Sequence, residues 1–309
     1  GKHCYFVPPV GRESGWNDKM KVSKKNLAFF ILPCICLFLF VYLFPLLMVF
    51  TTSFANWKIG SETAFSGIQN YVRAFTDKNV LAAFRNTLIW VVLQATVHVF
   101  LGTVLAFILS EKIRGWKVFR TICMLPNVIS TAALAMVLLN VFKTDSGLVN
   151  SFLSLIAGHP VEINWYFKSS TAFPSVTLGW LLYPGLITIL MLAAIISVPD
   201  DLIETARLDG ASRLQIDLRI ILPLSRSTLG TSVIIAATSM LKEFELIYLT
   251  TNGGPGNATL NLPMYIYKTA FNENNYGYSN ALSVLLILFG VAIVVLINKA
   301  FRMNESDYE

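Results

Sequence analysis

Charged side chains near the end of a long apolar run are the first residues here whose types suggest chemistry. Lys242, Glu243 and Glu245 stand shortly before the end of the run 227–249. A charge inside a bilayer is costly, so such residues usually face a polar path or one another. Two interpretations stay open: Glu243 or Glu245 lines a solute path, or Lys242 and Glu245 are neighbours at the outer interface. For His98, in another apolar run, a packing hydrogen bond is favoured over a ligand or proton relay.

Amide and aromatic side chains inside the apolar runs suit the binding of hydroxyl-rich solutes. Asn127 offers an amide to hydroxyl groups, and Trp180 and Tyr183 offer rings that cover the apolar face of a sugar. The neighbouring Pro184-Gly185 predicts a kink or unwound stretch, which in membrane proteins often lines a cavity. Packing inside a helix bundle is the alternative role. The candidate path residues are Asn127, Trp180, Tyr183, Glu243 and Glu245.

No motif for an enzyme is present in the sequence. The patterns G-x-x-x-x-G-K-[ST], H-E-x-x-H and G-x-S-x-G are all absent, and the glycines at 253–256 read as a turn. We therefore expect no catalytic residue, no metal site and no cofactor bound by this chain. If the protein moves a solute uphill, the energy has to come from a partner.

The composition is that of an integral membrane protein. Hydrophobic residues make up 55% of the 309 residues and charged residues only 14%, which is far more apolar than a soluble domain. The predicted spans, each long enough to cross a hydrocarbon core of about 30 Å, are 27–50, 87–109, 121–142, 172–198, 227–249 and 278–298.

The distribution of positive charge predicts the orientation. With the amino terminus placed inside, 16 of the 24 lysines and arginines fall on the cytoplasmic side, as the positive-inside rule requires. The sequence thus predicts an all-α protein with six spans and both termini in the cytoplasm. Its organisation would be a polar tail (1–26), one membrane domain (27–302) and a second tail (303–309).

Between the fourth and fifth spans lies the longest charged interval, residues 199–223. Its acidic start suits a helix, and Asp201 with Glu204 has the spacing of a capping box. Gly210 can take a left-handed or tightly packed backbone. The pattern predicts two short helices joined at this glycine.

The second of these helices has its own start signal and an apolar stripe. Ser212 and Gln215 form another capping-box pattern. The predicted stripe consists of Leu214, Leu218, Ile221 and Leu222, and Pro223 closes the unit. A helical unit of this kind between membrane spans needs a cytoplasmic surface against which to dock.

The 199–223 segment resembles the EAA loop of bacterial ABC-importer permeases. The residues that match this pattern are Glu204, Ala206, Gly210, Ile220, Leu222 and Pro223. Asp209 and Ala211, with Gln215, resemble the carbohydrate-uptake branch, and Thr205 departs from the usual alanine. The resemblance implies that these residues couple the chain to a cytoplasmic ATPase that binds ATP and magnesium.

A second resemblance lies in the turn after the fifth span. Residues 249–255 are similar to the Leu-Thr-x-Gly-Gly-Pro segment of sugar permeases, which implies that Asn252, Gly253, Gly254 and Pro255 contact an extracytoplasmic solute-binding protein. The segments 86–88 and 277–281 also fit the family. The apolar patch within 147–156 would either meet the same partner or lie on lipid as an interfacial helix.

Taken together, the resemblance implies a permease subunit of a carbohydrate-type ABC importer in the bacterial cytoplasmic membrane. It would form half of the path beside a second homologous permease, with an ATPase dimer and a solute-binding protein as partners. Glycerol phosphate and acidic saccharides such as uronate oligomers are alternative substrates within this class.

Two other classes are less compatible with the sequence. An ion-driven secondary transporter would need titratable groups near the midplane and usually internal repeats, and no repeat is visible. A membrane-embedded enzyme would need a catalytic set at one depth, and none is evident.

Overall fold

The computed structural model describes residues 24–181 and 183–301, and these are mostly helical. Two compact units are distinguished, divided after Val49. The described part of the first unit is a helix with α1 (Lys24–Phe38), a π turn (Leu39–Leu43) and the first turns of α2 (Phe44–Thr52). None of its described side chains is buried. The predicted tails 1–26 and 303–309 lie outside the described residues, except for 24–26.

Four helical segments among the described residues are long and apolar enough to cross a membrane, and two bent pairs raise this to as many as six. The four segments are Phe29–Thr52, Lys78–Ser110, Ser169–Ile196 and Tyr276–Phe301. The bent pairs are Trp116–Val128 with Thr131–Val141, and Arg213–Leu224 with Arg226–Thr250. Each segment or pair overlaps a predicted span, although several boundaries differ.

The first predicted loop, 51–83, contains more regular structure than the sequence indicated. It holds a two-stranded antiparallel hairpin, β1 (Ala55–Asn56) and β2 (Ala64–Phe65), and then α3 (Gln69–Thr76). The next helix, α4 (Lys78–Leu93), begins nine residues before the predicted start at 87. The reason is a cap: Asp77 Oδ1 accepts a hydrogen bond from the Asn79 N–H at 2.9 Å.

A π turn (Gln94–His98) joins α4 to α5 (Val99–Ser110). The next helices along the chain are α6 (Trp116–Val128), α7 (Thr131–Val141), α8 (Leu148–Ala157), α9 (Ser169–Leu181) and α10 (Gly185–Ile196). The chain ends with α11 (Asp200–Leu208), α12 (Arg213–Ile216), a π turn (Asp217–Ile221), α13 (Leu222–Leu224), α14 (Arg226–Met240), α15 (Glu245–Thr250), α16 (Leu262–Tyr267), a π turn (Lys268–Asn272) and α17 (Tyr276–Phe301).

Three of the predicted spans are interrupted. The third bends by 102° between α6 and α7, where Ser130 caps α7. The fourth breaks between α9 and α10, as Pro184-Gly185 predicted. The fifth, predicted as 227–249, corresponds to two helices with a short non-helical stretch between them: α14 ends at Met240 and α15 starts at Glu245.

The second unit has two apolar cores. The first is built around Trp90, whose ring stacks on Phe173 at 4.7 Å and meets Trp180 edge-on at 5.0 Å. The Trp90 Nε1–H also donates to Thr177 Oγ1 at 2.8 Å. These contacts fix α9 against α4 beside the break in the fourth span.

The second core joins α5 and α10 to the 199–223 segment. It includes Ile195 of α10, Leu109 at the end of α5, and Ile216 and Ile221 of the segment. Burial of such side chains is the main force that holds elements together. The segment is therefore packed onto the helix bundle rather than free.

Candidate functional site

A cavity of about 160 Å³ lies where four of the predicted spans are irregular. Its walls come from the π turn Gln94–His98, the end of α6, the break after α9 and the break after α14. Non-helical backbone at membrane depth is tolerated where it lines a cavity, because its polar groups need partners other than lipid. The lining residues are Gln94, His98, Asn127, Trp180, Tyr183, Leu186, Ile187, Ile235, Ala236, Ser239, Met240 and Glu243.

The structure brings together four of the five path residues proposed from the sequence: Asn127, Trp180, Tyr183 and Glu243 all line this cavity. Glu245 does not; it lies in the first turn of α15 with an exposed side chain. Glu243 lies in the break between α14 and α15, whereas Glu245 lies within α15.

Two buried polar atoms of the lining have no hydrogen-bond partner among the described residues. They are Oε1 of Gln94, which is 3% exposed, and Nε1 of Trp180, which is 2% exposed. Buried polar atoms in folded proteins are nearly always paired, so the residues that line this cavity leave one acceptor and one donor available to a polar guest that reaches them. The sequence reasoning missed Gln94, although a lone amide in an apolar run was a usable signal.

Two further polar groups of the lining are partly engaged. Oε1 of Glu243 accepts the Leu246 N–H at 3.2 Å and so caps the start of α15. Nδ1 of His98 lies 3.3 Å from the carbonyl oxygen of Leu181, beside the break in the fourth span. His98 thus makes the kind of packing hydrogen bond that the sequence favoured.

Gly185 lets the helices around the cavity approach closely. A Cβ atom built on it would lie 2.1 Å from the backbone oxygen of Cys123 and 2.8 Å from Nδ2 of Asn127. Only glycine fits such a contact, because the backbone oxygen cannot move aside. Gly185 therefore sets how near α10 comes to the Asn127 side of the cavity.

The 199–223 segment forms two short helices joined at Gly210, as predicted. Gly210 has φ +80°, and the following Ala211 N–H donates to Ala206 O at 3.0 Å, which closes the end of α11. The second capping box is present, with Ser212 and Gln215 bonded reciprocally. The first is not: α11 starts at Asp200 with Pro199 at the cap position, so Asp201 and Glu204 lie inside the helix.

The predicted apolar stripe of α12 is divided between two faces. Leu214 and Leu218 are exposed, whereas Ile221 is buried together with Ile216. The π turn Asp217–Ile221 contains one residue more than a regular turn and rotates the next turn of helix, so helical spacing fails across it. Leu208, the last residue of α11, is a third exposed leucine of the segment, with 88% of its surface accessible.

The remaining EAA-type positions lie on this segment at different depths. Glu204, Asp209, Gly210 and Pro223 are exposed, and Ala206, Ala211, Ile220 and Leu222 are half-buried. The half-buried residues Ala206, Ala211 and Ile220 pack against the second core. The segment thus presents a polar and leucine-rich outer face and an inner face of small and apolar residues.

The turn after α15 is held against the start of α4. Asn252 is exposed with φ +52°, Gly253 is buried, and Gly254 and Pro255 are half-buried. Nζ of Lys268 donates to the Asn252 carbonyl at 2.7 Å. The turn is therefore anchored and offers Asn252 outward.

The second-span residues that carried the family resemblance hold the continuation of this turn. Nδ2 of Asn86 lies within 3.2 Å of the carbonyl oxygens of Asn257, Ala258 and Leu260. The neighbouring Thr87 Oγ1 accepts the Leu262 N–H at 3.0 Å. The 86–88 motif thus contacts the residues that directly follow the 249–255 motif.

Asp77 connects the start of α4 with two more elements. Its Oδ2 accepts the hydroxyl groups of Tyr265 at 2.7 Å and Tyr278 at 2.9 Å, and Arg73 stacks over the Tyr278 ring. Burial opposes ionisation, but the hydrogen bonds from Tyr265, Asn79 and Tyr278 outweigh it and lower the pKa of Asp77. Burial and the bond to Asp77 raise the pKa of Tyr265 to about 12.

The family described as Binding-protein-dependent transport system inner membrane component matches residues 98–305. The chain belongs to this family. Probable ABC transporter permease protein YurN of Bacillus subtilis is 31% identical over 90% of this chain and 96% of its own length. Trehalose/maltose transport system permease protein MalF of Thermococcus litoralis is 28% identical over 95% of this chain and 100% of its own.

A solved structure shares the fold of this family member. It is a bacterial ABC transporter involved in the import of the acidic polysaccharide alginate, with a TM-score of 0.78 at 24% identity over 91% of this chain and 96% of that chain. The predicted family is thus confirmed. The chain is an ABC transporter permease. It is a membrane subunit of a binding-protein-dependent transport system, and this family is not a family of catalytic subunits.

Proposed function

We propose that the chain is one of two homologous permeases in an ATP-driven importer of sugars or oligosaccharides. It would cross the bacterial cytoplasmic membrane six times with both termini inside, each bent pair counting as one span. Residues 27–302 would form the membrane domain. The partners would be a second permease, an ATPase dimer at the 199–223 segment and a solute-binding protein outside.

The observation that carries the choice of a sugar is the cavity with its unpaired polar atoms. A hydroxyl group can donate to Oε1 of Gln94 while another accepts from Nε1 of Trp180. The half-buried Tyr183 ring supplies an apolar face of the kind that sugar rings need. Such a mixture suits a polyhydroxylated solute better than an ion or a hydrocarbon.

The charge of the lining favours a neutral solute over the acidic alternatives. None of the residues that form this cavity in the described part of the chain is a lysine or arginine, and Glu243 is a carboxylic acid. A uronate or a glycerol phosphate would require a positive partner on desolvation. In this proposal any such partner would have to come from the second permease.

The outer face of the 199–223 segment suits a docking site for an ATPase. It places Leu208, Leu214 and Leu218 in the open beside the acidic Glu204. Exposed apolar side chains rimmed by charge are typical of protein interfaces. Because this chain lacks a phosphate-binding loop, ATP and magnesium would bind only to that partner.

On the opposite side, the Asn252–Pro255 turn would contact the solute-binding protein. Lys268 holds the carbonyl of Asn252, and Asn86 holds residues 257–260, which follow the turn, so Asn252 is presented in a fixed position. A preorganised turn binds with a smaller loss of conformational freedom than a loose one.

Uptake by the purified complex tests the proposal. The complex would be placed in liposomes with the binding protein outside and ATP inside, and labelled saccharides would be followed. Gln94→Leu should reduce uptake of the sugar that wild type carries, since the buried acceptor is lost while the volume is similar. Uptake that follows an ion gradient without ATP would contradict the proposal and favour a secondary transporter.

A further inference from the structure

The 199–223 segment is tied to the end of α5 by an arginine that no motif singled out. Nε of Arg213 lies 2.8 Å from Oε1 of Glu111 and 3.0 Å from Oδ1 of Asp217. Its Nη2 also lies 3.4 Å from Oγ of Ser110. The ion pair to Glu111 joins parts of the chain about a hundred residues apart.

Both ends of this tie are held in place. Arg213 is the first residue of α12, directly after Ser212, whose capping box with Gln215 fixes the helix start. Glu111 directly follows Ser110, the last residue of α5. The connection therefore runs from one helix terminus to another rather than between two flexible loops.

Apolar packing continues the same connection. Ile216 and Ile221, on the inner side of the segment, share the second core with Leu109 of α5. The π turn between them turns both side chains inward while the leucines stay outward. The second half of the segment is thus seated on the end of α5.

The helix reached in this way leads to the cavity. α5 runs without interruption from Ser110 back to Val99, a length of about 18 Å at 1.5 Å per residue. It then meets the π turn Gln94–His98, which supplies two lining residues. A shift of the segment can be passed along this rigid element to the cavity wall.

We propose that Arg213 is a positioning residue that clamps the ATPase-docking segment to the end of the second span. Movement of the ATPase then displaces the Gln94–His98 wall in addition to the fourth and fifth spans, which are joined to the segment through the chain. This inference rests on the proposed function, because it requires the ATPase to dock on residues 199–223.

The clamp concerns alignment rather than stability. Arg213 and Glu111 are partly exposed, and pairs of this kind contribute little to folding free energy. Neutral replacements should therefore leave a folded, assembled complex. What they should change is the number of solute molecules carried per ATP hydrolysed.

A double-mutant cycle in the reconstituted complex tests the clamp. Glu111→Gln and Arg213→Gln should each lower the ratio of transport to ATP hydrolysis about two- to fivefold. The double variant should be no worse than either single variant, because all three lack the same bond. Arg114→Gln is the matched control: it removes an exposed arginine of the same loop that makes no ion pair among the described residues.

A second measurement separates alignment from general damage. The thiol of His98→Cys, in a background without the other cysteines, should change its labelling rate when ATP is added. Arg213→Gln should weaken this response, and Arg213→Lys should restore part of it by keeping the charge. If Arg213→Gln does not assemble, Glu111→Gln tests the same bond from the other side.

Additive losses in the double variant, or an unchanged transport ratio and labelling response, would overturn the clamp while the importer stands. Absence of ATP-driven transport by wild type would overturn both the clamp and the proposed function. Non-additive losses with an unaffected Arg114→Gln control would support it.

Discussion

Replacement of Gly210 separates two roles that glycine can have in the 199–223 segment. Gly210 has φ +80° and ends α11, so glycine avoids the strain that other residues suffer in this region. A Cβ atom built on it meets nothing within 4 Å in the described chain. A steric effect of a Cβ atom at this position must therefore arise against a partner.

The magnitude of the strain can be set from the backbone alone. Alanine in a left-handed conformation costs about 1–2 kcal/mol, and asparagine costs less because it is enriched in this region. If glycine serves only the turn, Gly210→Asn should lower transport per ATP hydrolysed less than Gly210→Ala does. If an ATPase packs against Gly210, the larger asparagine should lower this ratio more than alanine does. We predict that asparagine lowers it more than alanine, and that Gly210→Asp lowers it most because aspartate also adds a charge.

The assay is transport per ATP hydrolysed in proteoliposomes that contain equal amounts of each variant. Gly158 is a suitable control, because it also ends a helix with φ +72° and has open space around its Cβ position. Gly158→Asn should lower transport per ATP hydrolysed less than Gly158→Ala does, because only backbone strain acts at this position. The same order at Gly210 would refute close approach of the ATPase and leave glycine a purely conformational role.

Contacts in the bundle yield three further predictions. Gly185→Ala should prevent accumulation of folded protein, because its Cβ atom would lie 2.1 Å from a backbone oxygen. Gly290→Ala should be tolerated, because its Cβ atom meets only a flexible leucine methyl group. The amount of each variant in the membrane measures both effects. Ionised Asp77 should contribute its full stabilisation above its ordinary pKa of 3.8, and this contribution should disappear as the pH falls through the lowered pKa of the folded state. Thermal unfolding in detergent at a series of pH values would measure it. Trp180→Phe should keep the fold but weaken sugar uptake, because it removes the unpaired Nε1 donor and retains an aromatic ring.

Each of these has a clear contrary result. Equal protein levels for the two glycine variants would mean that α6 and α10 are further apart than the structure places them. An acid unfolding profile unchanged by Asp77→Asn would show that the bonds to Tyr265 and Tyr278 do not favour the charged form. Normal uptake by Trp180→Phe would show that sugar binding does not need Nε1 of Trp180.

In the 199–223 segment, the sequence correctly predicted the features that depend only on neighbouring residues. The capping box of Ser212 with Gln215 needs only residues three apart, and the left-handed glycine is specified by its own backbone. Asp201 with Glu204 had the same spacing, but Pro199 started the helix earlier and placed both residues inside it. A pattern of spacing does not say which of several competing starts is used.

The cavity could be predicted only in part. Asn127, Trp180 and Tyr183 were found because their side chains are unusual in apolar runs. Their convergence also depends on the break after α14 and on the π turn Gln94–His98, which leave no regular trace in the sequence, unlike the break at Pro184-Gly185. Glu243 and Glu245 could not be told apart for the same reason.

Long-range contacts were out of reach. The bond between Arg213 and Glu111 depends on how the segment packs under α5, which hydrophobic periodicity does not encode. The early start of α4 likewise depends on Asp77, which also binds Tyr265 and Tyr278 from the far end of the chain.

The most direct test of the central claim is purification of this chain from native membranes, with identification of the proteins that remain bound. The importer account predicts that an ATPase and a second permease are recovered with the intact chain. Glu204→Ala together with Gly210→Asp should release the ATPase and retain the second permease, because only the first docks on the 199–223 segment. A chain that is recovered alone, or an ATPase that stays bound despite both replacements, would contradict the account.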